Sequence, residues 1–476
     1  MTFSDQDIQQ IIKHGLKVED VENQIADFVR GFPYADIVEP ATIANGGIQE
    51  LNYSARQEYI KTYQEYAKNH AIVKFVPASG AATRMLRDLF TFIDTGELND
   101  VAKKVCEHVQ MLAMYDELNL DANATDIDIA RAIVNKYGNM PKGLVPFHTY
   151  NHEHNGIDEV RTPVAEHLFE GAKYAVSKDN TVSIHFTVSP EHHDAFQRLL
   201  DKIVPEYASR FGVKYNITMS EQETSTDTIA VNPDNTPFRT PDGKLVFRPA
   251  GHGALINNLN NIDADIIFIK NIDNVCTAAA ADDTIEYKQV LAGVLISIQS
   301  KIFEYLRKID DEKADLNNIA RFIKDTFGID VGANKTELKA VLNRPLRVCG
   351  MVKNTGAPGG GPFWVRGSGL QIIESSQIAP TARDIMNKST HFNPVDLVCS
   401  VCDYTGNKFN LINFIDENTG FISDKSYSGH PIRAMERPGL WNGAMARWNT
   451  IFVEVPGTTF TPVKTIADLL TPAHND

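Results

Sequence analysis

The chain has 476 residues, enough for two or three domains or one large α/β core with additions. Hydrophobic content of 43% and charged content of 22% suit a globular protein, and no stretch is long and apolar enough to span a bilayer. A formal charge of −15 argues against nucleic acid or an anionic membrane as the main partner, but it leaves room for an anionic small molecule in a cleft.

Residues 4–14 read as a capped amphipathic helix and 21–30 as a second, closed by Gly31-Phe32-Pro33. Residues 40–47 are loop-like, and 54–70 form a helix rich in Tyr, Gln and Lys. The run 72–76 is short, apolar and β-branched, so it reads as a buried strand. Pro77 ends it, small residues follow (Ala78, Ser79, Gly80, Ala81), and a helical pattern runs from Ala82 to Gly96. Helical stretches fill 101–137, with a break at 121–125. A loop with one lysine, Lys142, spans 138–148. A helix over 161–175, a cleanly alternating strand over 181–188, a helix over 191–203 and a strand over 214–219 come next.

The short strand 245–248 leads into Pro249-Ala-Gly-His-Gly253 and a helix to about residue 261. The apolar strand 265–270 ends in Asn271-Ile-Asp-Asn274. A long helix covers 284–309, with further helices to 342. From 344 the chain is strand-rich: 347–352, the Gly-rich 356–362, 370–374, 395–402 and 450–455, with a short helix after Lys464. These elements predict an α/β three-layer sandwich around a mostly parallel sheet, with a ligand crevice beyond the C-terminal strand ends. The expected division is a helical N-terminal layer over 1–70, an α/β core over 71–343 carrying a helical insertion at about 97–137, and a strand-rich section over 344–476.

The first residues are polar and acidic, without a secretory signal. Five scattered cysteines (Cys106, Cys276, Cys349, Cys399, Cys402) suit a reducing cytoplasm. Cys399 and Cys402 form a C-x-x-C with no second ligand pair nearby in sequence, which leaves a redox pair or two thiols of a buried strand. Trp441, Asn442 and Trp448 read as an aromatic core patch or a substrate wall, with core the preferred reading.

Strand, small-residue turn and helix start together make a recurrent phosphate site, because the turn's N–H groups are uncovered and a helix N-terminus adds partial positive charge. Arg84 adds a formal charge beside it. Asp273, just past a buried parallel strand, is placed to hold Mg²⁺ bridging phosphate oxygens, or else to cap its own turn. Lys142 and Lys464 lie beside prolines that stiffen their loops, where an ammonium can neutralise charge developing on a phosphate. His252 stands between two glycines that allow close approach to a ligand. The run Gly359-Gly-Gly361 is a ligand loop or a mobile hairpin.

In order along the chain these motifs resemble those of sugar-1-phosphate nucleotidyltransferases and UDP-sugar pyrophosphorylases. Ser-Gly-Ala-Ala-Thr-Arg-Met (79–85) resembles Gly-Gly-x-Gly-Thr-Arg-Met, and Pro141-Lys142-Gly-Leu-Val-Pro resembles Pro-Lys-x-Leu-x-Pro. Pro249-Ala-Gly-His-Gly253 with Asn271-Ile-Asp-Asn274 is similar to the Pro-x-Gly-His-Gly and Asn-x-Asp-Asn pair, and 460–470 to Phe-x-Pro-Val-Lys-x-x-x-Asp-Leu-Leu. Over its length the chain resembles an uncharacterised bacterial family placed in the nucleotide-diphospho-sugar transferase superfamily. The resemblance implies a glycosyltransferase-A-like fold and attack of a sugar 1-phosphate on an NTP, with UTP the favoured base, expelling pyrophosphate with Mg²⁺ as cofactor. By the same analogy Ala78, Ser79, Gly80, Ala81 and Thr83 lie against the nucleotide, and Arg84 meets the β/γ-phosphates. Lys142 and Lys464 flank the reacting phosphates, and Asp273 holds the metal. Gly251 and His252 line the nucleoside and sugar pocket, Gln222 contacts the base, and Glu374, Gln377 and Asn393 lie on the sugar side.

Ser79 and Ala82 stand where the signature has glycine, and a Cβ at either is expected to crowd the nucleotide. A non-catalytic binder on the same fold, and a glycosyltransferase using a finished nucleotide-sugar, are the competing expectations. The latter normally wants a second carboxylate close to the metal ligand, and Asn271-Ile-Asp273 supplies one.

Overall fold

The β-branched and alternating runs become four strands, Ile72–Pro77 (β1), Thr181–Val188 (β2), Lys214–Glu221 (β3) and Ile266–Lys270 (β4). They pair in parallel in the order β4-β1-β2-β3. The computed structural model describes residues 3–152, 156–356 and 360–475. It is mixed α/β with a mostly parallel sheet, as expected. The chain divides into two units of interleaved segments. One takes the residues up to Asn52, Gln222–Asp263 and Leu295–Glu454, and the other takes Tyr53–Glu221, Ala264–Val294 and the residues from Val455 onward.

The second unit contains β1–β4. Parallel strands need crossovers, and here helices supply them. Helix Pro163–Tyr174 starts on a Thr162 cap, whose side chain accepts from the Ala165 N–H, with Pro163 in its first turn. Helix His193–Phe211 joins β2 to β3 and stops at Gly212 in the left-handed region. Gly171 lets the first of these helices close onto β2, since a Cβ there would stand 2.8 Å from Val182 Cγ1. Val164, Leu168, Val182, Ile184, Phe186 and Phe196 form the resulting core. Between β1 and β2 the chain also forms the helices Asp100–Glu107, Tyr115–Leu118 and Asp126–Tyr137. With Arg87–Thr95 they build a second apolar cluster that also takes in Val463, Ile466 and Leu469 from the C-terminal segment.

Beneath the sheet lies a sealed set of charges. Glu170 accepts Lys74 Nζ on one carboxylate oxygen and Lys270 Nζ on the other, both at 2.7 Å, and all three side chains are at most 2% exposed. Burial alone would raise the Glu170 pKa, but the two ammoniums hold it well below the usual carboxylate range. Burial pulls Lys74 down to about 7, against the opposing pull of Glu170.

In the first unit, helices Asp5–Lys13 and Val18–Arg30 pack Ile11, Val21 and Phe28 against Ile229, Val231 and Leu245. Leu346–Lys353 pairs in parallel with Asn449–Glu454 and antiparallel with Asp396–Ser400 and His391–Phe392. Phe421–Tyr427 and His430–Glu436 form a hairpin.

Three local expectations change. The region 1–70 is not purely helical: Ile37–Pro40 is a strand paired with Gly361–Val365, a short Pro-ended edge of a type that leaves little periodicity to read. The helix expected from Ala82 begins at Arg87, and Ala82–Arg84 is a single 3₁₀ turn. There the loop is held extended instead, because the Ala82 N–H donates to the Met140 carbonyl and the Lys142 N–H to the Gly80 carbonyl. Gly359 of the glycine run lies outside the described residues.

Replacing Glu170 by Gln removes the carboxylate that the two buried lysines share. Glu170→Gln is expected to lower the unfolding free energy at pH 7 by about 3–5 kcal/mol in urea titration. Because the folded-state pKa is depressed, the wild-type advantage is full above the unfolded value of about 4.5 and shrinks as the pH falls below it. A loss under about 1 kcal/mol at pH 7 would contradict this account.

Candidate functional site

The C-terminal ends of β1 and β4 open onto one hydrogen-bonded knot. Past β1, Ala78 is still tied to the sheet through its N–H to the Thr187 carbonyl, while Ser79, Gly80 and Ala81 are exposed. Past β4, the Ile272 N–H donates to the Pro77 carbonyl, which fixes the two strand ends against each other.

Lys142 joins the parts. Its backbone N–H donates to the Gly80 carbonyl at 3.0 Å. Its buried ammonium donates to Asp273 Oδ2 at 2.9 Å and to the Val463 carbonyl at 2.8 Å. Lys464 Nζ reaches the same Oδ2 at 3.2 Å with its side chain 58% exposed. Burial would raise the Asp273 pKa, but Lys142 and Lys464 outweigh it and hold the carboxyl below its ordinary value. Among the described residues, Asp273 Oδ1 accepts no hydrogen bond.

Neighbouring side chains deliver the C-terminal segment. Asn274 Oδ1 accepts the Thr461 N–H at 2.9 Å, and the Val463 N–H donates to the Asp273 carbonyl at 3.0 Å. Asp468 Oδ2 accepts the N–H groups of both Lys464 and Thr465 at 2.7 Å, capping the turn Ile466–Leu470. Lys464 is therefore aimed by its backbone as well as by its charge.

The structure thus brings Gly80, Lys142, Asp273 and Lys464 together. Arg84 is exposed on the 3₁₀ turn, and Thr83 Oγ1 donates to the Gly138 carbonyl. The Cβ expected to crowd the loop at Ala82 does not, because Ala82 is fully buried in the helical cluster with Met85 and Leu89. Ser79 is exposed at the loop tip.

A second cluster lies in the other unit. Gly251 has φ +75°, and a Cβ there would lie 2.5 Å from Glu436 Oε2, while one on Gly253 would lie 2.3 Å from the Pro438 carbonyl oxygen. Both glycines of the Gly-His-Gly run are thus dictated by the segment pressing on them. His252 between them stacks on Trp441, with centroids 4.1 Å apart and planes 9° from parallel. Its Nδ1 accepts the Leu440 N–H, which turns Nε2–H toward Glu374 Oε1 at 3.6 Å. His252 and Asn442 hold the Glu374 carboxyl below its ordinary pKa against burial. Trp448 is buried core, as expected, whereas Trp441 is half-buried on this histidine.

Gln222 bonds locally to Thr226. Asn393 is buried and its Oδ1 accepts the N–H of Val395, a β-branched residue held at φ +60°. Gln377 is tied to the Glu374 N–H and the Thr419 carbonyl. Sequence reasoning missed the Lys74–Glu170–Lys270 set. A lysine inside the apolar run Ile-Val-Lys-Phe-Val is its one trace.

Three solved structures are similar to this chain. A mutant of the UDP-glucose pyrophosphorylase from Leishmania major, in complex with UDP-Glc, matches with a TM-score of 0.43 and 13% identity over 99% of this chain and 79% of that one. A protein assigned as a UDP-N-acetylglucosamine pyrophosphorylase from Entamoeba histolytica gives 0.47 and 10% over 93% and 85%. The inositol-1-phosphate CTP transferase from T. maritima gives 0.32 and 9% over 83% and 90%. No curated protein sequence matches the chain. Residues 4–475 match the family described as a domain of unknown function, DUF4301, and the chain belongs to that family.

Proposed function

We propose that this protein is a nucleotidyltransferase that joins a sugar 1-phosphate to the α-phosphate of an NTP and releases pyrophosphate. The observation that carries the reading is Lys142, which binds the Gly80 carbonyl with its backbone and Asp273 with its ammonium. One residue therefore links a loop with exposed N–H groups, a buried carboxylate and the segment bearing Lys464. The order of motifs along the chain supports the same reading, with UTP as the favoured nucleotide.

In this mechanism the exposed loop at Ser79–Ala81 receives phosphate oxygens on its N–H groups, and Arg84 adds charge toward the triphosphate tail. A phosphate oxygen of the sugar 1-phosphate attacks the α-phosphorus, the new P–O bond forms, and the α–β bridging bond breaks to leave pyrophosphate. Lys464, with more than half of its side chain in water, neutralises charge on the phosphates, while Lys142 stays fixed by its two acceptors. In the other unit, His252 and Glu374 present a donor and an acceptor, with Trp441 as a flat apolar face behind the imidazole.

The donor set fits magnesium. Asp273 Oδ1 is open, and an ion that keeps phosphate and water ligands needs one or two protein carboxylates. Asp273 would hold it, and when bound it supplies neutralisation of phosphate oxygens.

Incubation with a panel of NTPs, sugar 1-phosphates and Mg²⁺ is expected to release pyrophosphate for at least one pair. Failure with every pair, alongside tight NTP binding in calorimetry, would instead mark a binding protein. Asp273→Asn and Lys464→Ala are each expected to cut turnover by about 10²–10³-fold with unchanged circular dichroism. Activity that survives both substitutions would remove these residues from the chemistry.

A further inference from the structure

The C-terminal segment that carries Lys464 is fastened by two buried histidines. His148 Nδ1 faces Glu166 Oε1 at 2.8 Å, and His148 Nε2 faces His474 Nδ1 at 2.8 Å. At the far end, His474 Nε2 faces the Thr461 carbonyl at 3.1 Å, three residues before Lys464.

Both ends of this row only accept. The Thr461 carbonyl has no proton to give. Glu166 also accepts the Tyr150 hydroxyl at 2.8 Å and accepts from Arg161 Nη1 at 3.3 Å, so it enters the row as an acceptor. Three hydrogen bonds therefore need three ring protons, and two neutral imidazoles carry two. Beside the pair, Arg161 faces Glu166 and Glu159, and Arg210 is shared between Glu159 and the largely exposed Glu206. Tyr207 and Tyr150 carry hydroxyls that donate to Glu159 and Glu166, and the buried Cys276 thiol is held neutral.

We infer that His148 and His474 share a single extra proton, and that this proton fastens residues 459–475 and so positions Lys464. The pair takes one such proton and not two, since burial and the neighbouring His148 push the His474 pKa down to about 3. His148 and His474 are positioning residues, acting through Thr461. The consequence for Lys464 rests on the function proposed above, whereas the shared proton does not.

Because the shared proton supplies the third hydrogen bond of the row, the fastening is lost once the pH is raised far enough to remove that proton. Imidazole ¹⁵N NMR of the full chain is expected to show, at pH 7, protonated His148 Nδ1, protonated His474 Nε2 and one further proton between the rings. This third proton should leave in a single step on raising the pH. Over the same step, hydrogen-exchange protection factors of 459–475 should fall at least tenfold while those of β1–β4 hold. His474→Phe should show the low protection of this segment at every pH. Two ring protons at pH 7, or protection of 459–475 that ignores both pH and the substitution, would overturn the inference. Pyrophosphate release that is absent under all conditions, with these signatures present, would fail the function and leave the shared proton standing.

Discussion

The ion pair between Lys142 and Asp273 is the constraint on which the site depends. It ties together segments 131 residues apart, and the same ammonium reaches a carbonyl 321 residues away. Both side chains are buried, so either left alone would carry an uncompensated charge out of water, a penalty of several kcal/mol. That penalty is what makes the geometry specific: the loop past β1, the turn past β4 and the C-terminal segment are held where the buried ammonium meets the buried carboxylate.

The same stoichiometry occurs twice in this unit, with opposite outcomes. Lys142 and Lys464 share Asp273, and Lys74 and Lys270 share Glu170. In the second set both carboxylate oxygens are taken and all members are sealed beneath the sheet, so nothing can exchange. In the first set one oxygen takes both ammoniums, the other is open, and one lysine is largely in water. Solvent access, not residue composition, separates the two sets here.

Much of this was legible in the sequence because it rests on local signals. The parallel strands follow from the β-branched runs ending at Pro77 and Lys270, and the positions of Lys142, Asp273 and Lys464 follow from motifs in the right order. The late start of the helix at Arg87 was hidden, since its cause is the Met140 carbonyl, far along the chain. Ala82 looked like an obstruction in the loop, but a Cβ's direction belongs to tertiary structure and this one faces the core. The edge strand Ile37–Pro40 has too few residues for a period. Asp468 and Asn274 gave no sign of aiming Lys464, because a cap is recognised only when its acceptors are in view. Buried charge sets such as Glu170 with its lysines are similarly silent: a lysine's surface prior is overruled by partners that sequence does not pair.

Chain order has a further consequence for the lysine that completes the site. Lys464 follows Asp273 by 191 residues, and at ribosomal rates of roughly 5–20 residues per second that is a delay of about 10–40 s. Through that interval a nascent chain holds the carboxylate with Lys142 alone, at net zero charge. Vectorial synthesis therefore delivers a neutral Lys142–Asp273 pair first and adds the second ammonium afterwards.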